Sequence, residues 1–181
     1  FSAYRILGAH VSDDADFTAV LSRGKMVNDK LFTVKEIWEL LETVPDPEIP
    51  VISIVDLGVI RKVNIDNDEV EIIITPTYTG CPASAVIQEE IRQVLTKEGI
   101  AKLSIETKIM PAWTTDWLSG KGRMRLEEYG IAPPSQTQGP QHCPLCKSKT
   151  VEKVSQFGST PCKAQWRCLD CLEPFDYFKC I

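Results

Sequence analysis

The chain has 181 residues, of which 43% are hydrophobic and 25% charged, and its formal net charge is −5 at pH 7. This length fits one ordinary domain and a small module. The acidic balance argues against a general nucleic-acid binder, which needs a basic face. No apolar run approaches the roughly 18 residues that a bilayer-spanning helix needs, so we expect no membrane segment.

Residues 1–29 are expected to form an N-terminal extension outside the folded domain. Within them, residues 1–25 have mixed charge and no clear period, and they lack the apolar core of a secretory signal. Regular patterning begins only at Met26. An upstream extension, a non-native remnant and a short docking strand remain the alternatives, and we assign this segment no function.

Residues 33–44 predict an amphipathic helix. Thr33 and Glu36 have the spacing of a capping box, which marks a helix start. The apolar residues that follow repeat with helical spacing and form one stripe: Val34, Ile37, Leu40, Leu41 and Val44.

A proline-rich loop follows at residues 45–50, where three prolines end the helix and stiffen the chain. The loop carries Asp46 and Glu48. Behind a helix C-terminus, where the dipole disfavours negative charge, such a pair is ordinarily a solvated acidic turn. The rigid proline frame leaves a functional orientation open.

The next segments predict a small mixed sheet with helices. Three short β-rich runs come first, the last two joined as a hairpin: residues 51–55, 59–65 and 69–78. A helix over 83–98, with Gly99 as its stop, leads to an alternating strand at 101–109 and a short helix toward Tyr129. The fold class expected for residues 30–130 is therefore α+β, a small mixed sheet with helices on one face.

Residues 131–141 are rich in Pro, Gln, Ser and Gly, which is typical of a linker. Residues 142–181 then form a separate module with two C-x-x-C pairs, 21 residues apart: Cys143, Cys146, Cys168 and Cys171. Each pair places two sulfurs on one tight turn, and two turns complete a tetrahedral four-thiolate site. We expect a zinc-ribbon-like β module stabilised by its metal, with an iron–sulfur cluster on the same cysteines as the alternative.

Seven cysteines in one chain, four of them in C-x-x-C pairs, indicate metal binding in a reducing compartment, so we expect a cytoplasmic protein. Cys162 and Cys180 are interpreted as small packed hydrophobic residues. His10 and His142 form no cluster, although His142 borders the first C-x-x-C pair.

Cys81 lies between Gly80 and Pro82, where a β-rich run gives way to a helix. Proline is favoured at the first helical position, so Cys81 is expected at the N-cap. The unsatisfied N–H groups and the helix dipole there favour a thiolate and should lower the pKa of Cys81. An inert packed cysteine is an equal alternative. Thr77 alternates with its neighbours and is expected to share the face of the sheet edge near Cys81.

Several segments resemble known families. Three of them resemble the iron–sulfur assembly domain of SufT-type proteins: DPEIPV (46–51), DLGVI (56–60) and TPTYTGCP (75–82). Four more, with the four-cysteine module, resemble the PaaD family of the bacterial phenylacetyl-CoA epoxidase system: PAWTTDWL (111–118), YGIAPP (129–134), FGSTPCKA (157–164) and EPFDYFKC (173–180). The resemblance covers residues 30–181.

This resemblance implies an accessory factor of the multisubunit monooxygenase that epoxidises phenylacetyl-CoA in aerobic phenylacetate catabolism. The di-iron subunit and the iron–sulfur reductase are other chains, and the reductase is a candidate client. By resemblance, Asp46, Glu48, Thr77 and Cys81 line a site that assists assembly of a metal or iron–sulfur centre, with transient Fe or Fe–S at Cys81. We expect no catalytic turnover of its own and no nucleic-acid or membrane partner.

Two alternatives stay open. The chain is either an electron-transfer component of the oxygenase, carrying a cluster on the C-terminal cysteines, or a protein–protein adaptor.

Overall fold

The structure, a computed structural model, describes residues 26–27, 30–66, 69–135 and 139–179. Residues 1–25, with His10, and Cys180 lie outside this range. The end of the expected extension contributes a strand, because β1 (Met26–Val27) pairs antiparallel with β2 (Lys30–Leu31).

The first helix, α1 (Val34–Leu41), begins where the capping box places it. Thr33 Oγ1 accepts a hydrogen bond from the Glu36 N–H at 3.2 Å, and Glu36 Oε2 accepts one from the Thr33 N–H at 2.8 Å. The helix ends at Leu41, earlier than expected, although Val44 beyond it is fully buried.

The strand expected at residues 51–55 is wrong. The segment forms turns, with a single β-bridge between Ser53 and Pro45. Ile52 and Ile54 are fully buried, as the alternation suggested. However, the Ile54 N–H donates to Val44 O at 3.0 Å and the Ile52 carbonyl accepts from Asp46 N at 2.8 Å, so this segment folds back onto the proline loop instead of joining the sheet.

The central sheet is three-stranded and mixed, which confirms the expected fold class. β3 (Ile60–Asp66) pairs antiparallel with β4 (Glu69–Ile74), and β4 pairs parallel with β5 (Leu103–Thr107). One face of β4 is buried, and the long helix α2 (Ala83–Lys97) buries residues at every fourth position. Together with α1 they form one core, which includes Ile37, Leu41, Val70, Ile72, Ile74, Ile87, Ile91 and Leu95.

The last expected helix of this region is split into a short 3₁₀ turn (Thr115–Trp117) and α3 (Gly120–Glu128). Ser119 caps α3, its Oγ accepting from the Gly122 N–H at 2.8 Å. Among the described residues, no helix combines the length and the apolar character that a membrane crossing requires.

The C-terminal module is a four-stranded sheet in the order β6-β9-β8-β7. Its strands are β6 (Ile131–Ala132), β7 (Val151–Ser155), β8 (Lys163–Cys168) and β9 (Pro174–Phe178). β6 lies in the segment expected as a linker. Its two apolar residues are buried, and it pairs in parallel with β9, which gives the sheet a fourth strand.

The C-terminal module packs directly on the α+β region. The rings of Phe178 and Trp113 meet edge to face with 5.9 Å between their centroids, and Trp113 Nε1 donates to Leu57 O at 3.0 Å. Phe178 and Cys162 belong to the same core as the helices and the central sheet. The contact is therefore part of the main hydrophobic core.

Candidate functional site

The four C-x-x-C sulfurs lie together in the C-terminal module, and all are within 4.8 Å of one another. The Sγ atoms of Cys146 and Cys168 are 3.5 Å apart, and those of Cys143 and Cys171 are 3.9 Å apart. A tetrahedral ion with metal–sulfur bonds of about 2.3 Å needs sulfur–sulfur edges of about 3.8 Å. The four cysteines therefore fit a tetrahedral metal ion.

The two metal-binding turns have the same backbone construction. In each, the N–H of the first cysteine donates to the carbonyl five residues on, Cys143 to Ser148 at 2.7 Å and Cys168 to Glu173 at 3.0 Å. In each, the residue after the second cysteine is left-handed: Lys147 with φ 63° and Leu172 with φ 64°. This repetition shows that both turns are shaped to present sulfur pairs.

One sulfur of this group is already biased toward the form that a metal binds. The N–H of Cys171 donates to Cys168 Sγ at 3.5 Å. This bond, with further hydrogen bonds from Asp170 and the neighbouring cysteines, outweighs burial and lowers the pKa of Cys168 to about 7. His142 Nε2 instead contacts Glu127 Oε1 at 2.7 Å. Four cysteines can thus hold the ion without the histidine.

A second candidate site is a cavity of about 10 Å³ between the proline loop, the start of α2 and the C-terminal module. The structure brings all four predicted residues to its wall: Asp46, Glu48, Thr77 and Cys81. Ser84, several apolar side chains and two residues of the C-terminal module, Cys162 and Phe178, complete the wall. What these residues do stays a prediction.

Asp46 holds the shape of the proline loop. Its side chain is only 6% exposed, and its Oδ1 accepts from the N–H groups of Glu48 at 3.0 Å and Ile49 at 2.8 Å. Burial raises the pKa of Asp46, in opposition to the two backbone donors, which lower it. The loop therefore presents Glu48 from a buried, hydrogen-bonded turn.

Cys162 is the cavity residue that sequence reasoning interpreted only as packing. Its Sγ lies 3.4 Å from Glu48 Oε2 and 3.0 Å from Thr160 Oγ1. Burial, together with the negative charge of Glu48, raises the pKa of Cys162 to about 12, although the bond with Thr160 lowers it. Cys162 is accordingly a protonated thiol at neutral pH, and it donates to the Glu48 carboxylate.

No sequence pattern places Cys162 beside Glu48, because 114 positions separate them in the chain. The contact is purely tertiary. The stretch FGSTPCKA supports the family resemblance but has no metal-ligand spacing, so its cysteine was interpreted only as a packed residue.

Cys81 is half-buried and lies one residue before the expected position. α2 begins at Ala83, and Pro82 occupies the N-cap with helical dihedral angles, φ −66° and ψ −25°. A turn precedes it, in which the Cys81 N–H donates to Tyr78 O at 3.3 Å and Gly80 has φ 81°. The N-cap placement is therefore wrong by one residue, since proline with its fixed φ already takes the cap. The thiolate character of Cys81 stays a prediction.

Tyr78 interacts electrostatically with several cavity residues. Its Oη is buried and has no hydrogen-bond partner among the described residues. Burial raises the pKa of Tyr78, and the sulfur of Cys81 and the charge of Glu48 raise it further. The phenol therefore stays protonated, close to the sulfur of Cys81 and within the field of Glu48.

Comparisons with known proteins match the two regions separately. The model described as "PaaD zinc beta ribbon domain" matches residues 132–179, and the one described as "Iron-sulfur cluster assembly protein" matches residues 35–104.

Individual proteins match the same regions. An Escherichia coli (strain K12) protein, described as a candidate D-subunit of 1,2-phenylacetyl-CoA epoxidase, is 47% identical over 154 residues, covering 82% of this chain and 93% of its own. An Fe-S protein maturation auxiliary factor of Porphyromonas gingivalis is 36% identical, covering 56% of this chain and 97% of its own. The solved structure of a DUF59 domain from Bacillus anthracis is 27% identical with a TM-score of 0.49, covering 51% of this chain and 90% of its own. From the sequence matches, the chain belongs to the PaaD family, in which an iron–sulfur assembly-type domain is joined to a zinc ribbon.

Proposed function

We propose that this protein is a cytoplasmic accessory factor of the phenylacetyl-CoA epoxidase system that assists assembly of a metal or iron–sulfur centre in another subunit. The observation that carries the proposal is the cavity that gathers Cys81 with Asp46, Glu48 and Thr77. In this proposal residues 30–130 form the assembly unit, joined by 131–141 to the ribbon of 142–181.

The cavity chemistry suits a metal that is bound and then released. A half-buried sulfur at the rim can take an incoming soft ion, and a carboxylate beside it adds negative charge. The turn around Asp46 keeps Glu48 in place without using its carboxylate oxygens. Cys81 is the residue that we propose ligates the cargo and passes it to the client.

We propose zinc as the resident ion of the ribbon, held by Cys143, Cys146, Cys168 and Cys171. An ion with four protein sulfurs has no open position, so it supplies structure and no reactivity. A module of about this size buries too little apolar surface to fold without such support.

The main alternative is an electron-transfer component, because four clustered sulfurs also suit an iron–sulfur cluster. Protein purified without oxygen decides between the two. We expect colourless protein with one zinc per chain, whereas a brown, redox-active cluster at one per chain contradicts our assignment.

The test of the assembly role is complementation of cells that lack this protein. Cys81→Ser should fail to restore epoxidase activity and should leave the reductase or the di-iron subunit short of iron. Thr79→Ala, an exposed change in the same loop, is the matched control and should restore both. Full restoration by Cys81→Ser contradicts the assembly role and favours a protein–protein adaptor.

A further inference from the structure

We propose that Cys162 of the ribbon is the second sulfur ligand of the cargo site, so that Cys81 and Cys162 together bind one divalent metal ion rather than a preformed cluster. The inference rests on the proposed function and adds to it the identity of the cargo and a ligand from the other region of the chain.

The surroundings of Cys162 are those of a functional thiol and differ from those of a residue that only fills the core. It is 3% exposed, yet its sulfur donates to a carboxylate from another part of the fold, Glu48. A cysteine that only fills space in a core needs no acidic partner. Cys81 lines the same cavity, so both cysteines and Glu48 contribute to one wall.

The size of the cavity selects the cargo. Its volume of about 10 Å³ is about what a single water molecule requires. One metal ion fits such a space, whereas a cluster of several iron and sulfide atoms does not. Iron–sulfur clusters are also held by four cysteine ligands in most proteins, and this cavity offers two.

The local charge favours a cation. Asp46 and Glu48 bring two carboxyl groups to the cavity wall. The neighbouring cation, Lys163, pairs with Asp176, its Nζ 3.3 Å from Asp176 Oδ2. Its charge also reaches the cavity, where it acts against the burial that raises the pKa values of Asp46 and Cys162.

Binding needs no oxidant or reductant. As the ion bonds to Cys162 Sγ, the S–H bond breaks and its proton passes to Glu48 Oε2, 3.4 Å away. Any proton on Cys81 leaves to solvent as that sulfur bonds to the same ion. The metal keeps its oxidation state, and delivery to a client returns the proton to Cys162.

Cobalt(II) is a suitable probe for the zinc-loaded full chain under anaerobic conditions. It binds sulfur sites more weakly than zinc does, so it leaves the ribbon ion in place. We expect one Co²⁺ per chain in addition to one zinc, with sulfur-to-cobalt charge-transfer absorption. Cys81→Ser and Cys162→Ser should each remove about half of that absorption. Each should also weaken Co²⁺ binding at least about tenfold, because even the loss of a group that only supports a ligand costs about that much affinity.

Variant folding and wild-type geometry provide the controls. Zinc content and melting temperature show whether Cys162→Ser is folded, and Cys180→Ser is the matched cysteine control, expected to bind Co²⁺ as the wild type does. X-ray absorption on the cobalt-loaded wild type needs no variant. Two sulfur neighbours at about 2.3 Å are expected, and one or none overturns the proposal.

The outcomes separate this inference from the proposed function. Cobalt bound by two sulfurs, with epoxidase maturation intact in Cys81→Ser cells, keeps the site and removes the assembly role. Maturation that depends on Cys81 but not on Cys162, with one sulfur on cobalt, keeps the assembly role and removes the second ligand.

Discussion

The four ribbon cysteines and the two cysteines of the proposed cargo cavity differ in how they present sulfur to a metal. In the ribbon, four sulfurs from two turns of identical build lie within 4.8 Å of one another. In the cavity, the two cysteines come from distant parts of the sequence, and the thiol of Cys162 donates to a carboxylate. Among the described residues, the ribbon cysteines are the one group with at least three donor atoms so close.

This difference is what we expect between a site that retains its ion and one that releases it. A complete tetrahedral sulfur set leaves nothing for a client to attack, whereas an ion with two protein ligands keeps open positions. In the proposed cycle, return of a proton from Glu48 to Cys162 adds a route for release. In our proposal, thiolates serve structure in the ribbon and transfer in the cavity.

The largest effect should follow removal of zinc from the ribbon. Structural zinc binding contributes roughly 10–16 kcal/mol in zinc-finger peptides, so chelation should unfold the module and expose Cys162. Alkylation at neutral pH, read for each cysteine by peptide mass spectrometry, should show Cys162 protected before chelation and labelled after it. Cys168→Ser should give the same labelling without a chelator. Protection of Cys162 that survives zinc loss would mean that the cavity wall does not depend on the metal.

Phe178→Ala should give the next largest effect. Phe178 is 1% exposed, packs against Trp113 and lines the cavity. Truncating a buried phenylalanine typically costs about 3–5 kcal/mol of unfolding free energy. Urea denaturation measures this cost, and Phe157→Ala, at a side chain that is 65% exposed, is the matched control. Equal urea midpoints for the two variants would show that the ribbon and the α+β region are not coupled through this contact.

Glu48→Gln should act on the cavity site alone. It removes the acceptor for the Cys162 proton and one negative charge, so Co²⁺ affinity at the cavity should fall by about 10–100-fold, the usual cost of losing a group that supports a ligand. Ribbon zinc content should not change. Glu69→Gln, at an exposed residue of β4, is the control and should bind Co²⁺ normally. An unchanged affinity in Glu48→Gln would remove the carboxylate from the binding step.

The smallest effect should be a gain in stability from Asp46→Asn. The amide oxygen can keep both backbone hydrogen bonds while the buried charge is lost. Because the pKa of Asp46 is raised above its ordinary 3.8, the wild type loses stability as pH rises from 3.8 through the raised value. The variant does not titrate there, so its advantage in melting temperature should be present at neutral pH and vanish toward pH 3.8. An advantage that is equal at both ends would point to a cause other than the charge.

Local patterns predicted the elements that depend on local contacts. The cap of α1 depends on Thr33 and Glu36, three residues apart, and the ribbon turns depend on C-x-x-C spacing. The prediction of a strand at 51–55 was wrong. The buried Ile52 and Ile54 alternate as they would in a strand, but their backbone groups form hydrogen bonds with residues 44 and 46 and not with a sheet.

The cavity was only partly predictable, because most of its contacts join residues that are distant in the sequence. Asp46, Glu48, Thr77 and Cys81 came from a resemblance between motifs, not from periodicity. Cys162 and Phe178 reach the cavity only through packing of the ribbon on the core, which no spacing in the sequence encodes. Likewise, the sequence around Ile131 and Ala132 predicts a linker, whereas the structure shows a strand there because β9 provides a partner.

Strand β8 sets the distance between the ribbon cysteines and the cavity. Cys162 immediately precedes it and Cys168 is its last residue. Six residue steps of extended chain, at about 3.3 Å each, separate the two Cα atoms by roughly 20 Å. An ion cannot be shared directly across that length, so in our proposal the strand keeps the resident ion of the ribbon apart from the cargo ion of the cavity. Two paramagnetic ions, one at each end, would therefore report loading of the cavity as a distance within a single chain.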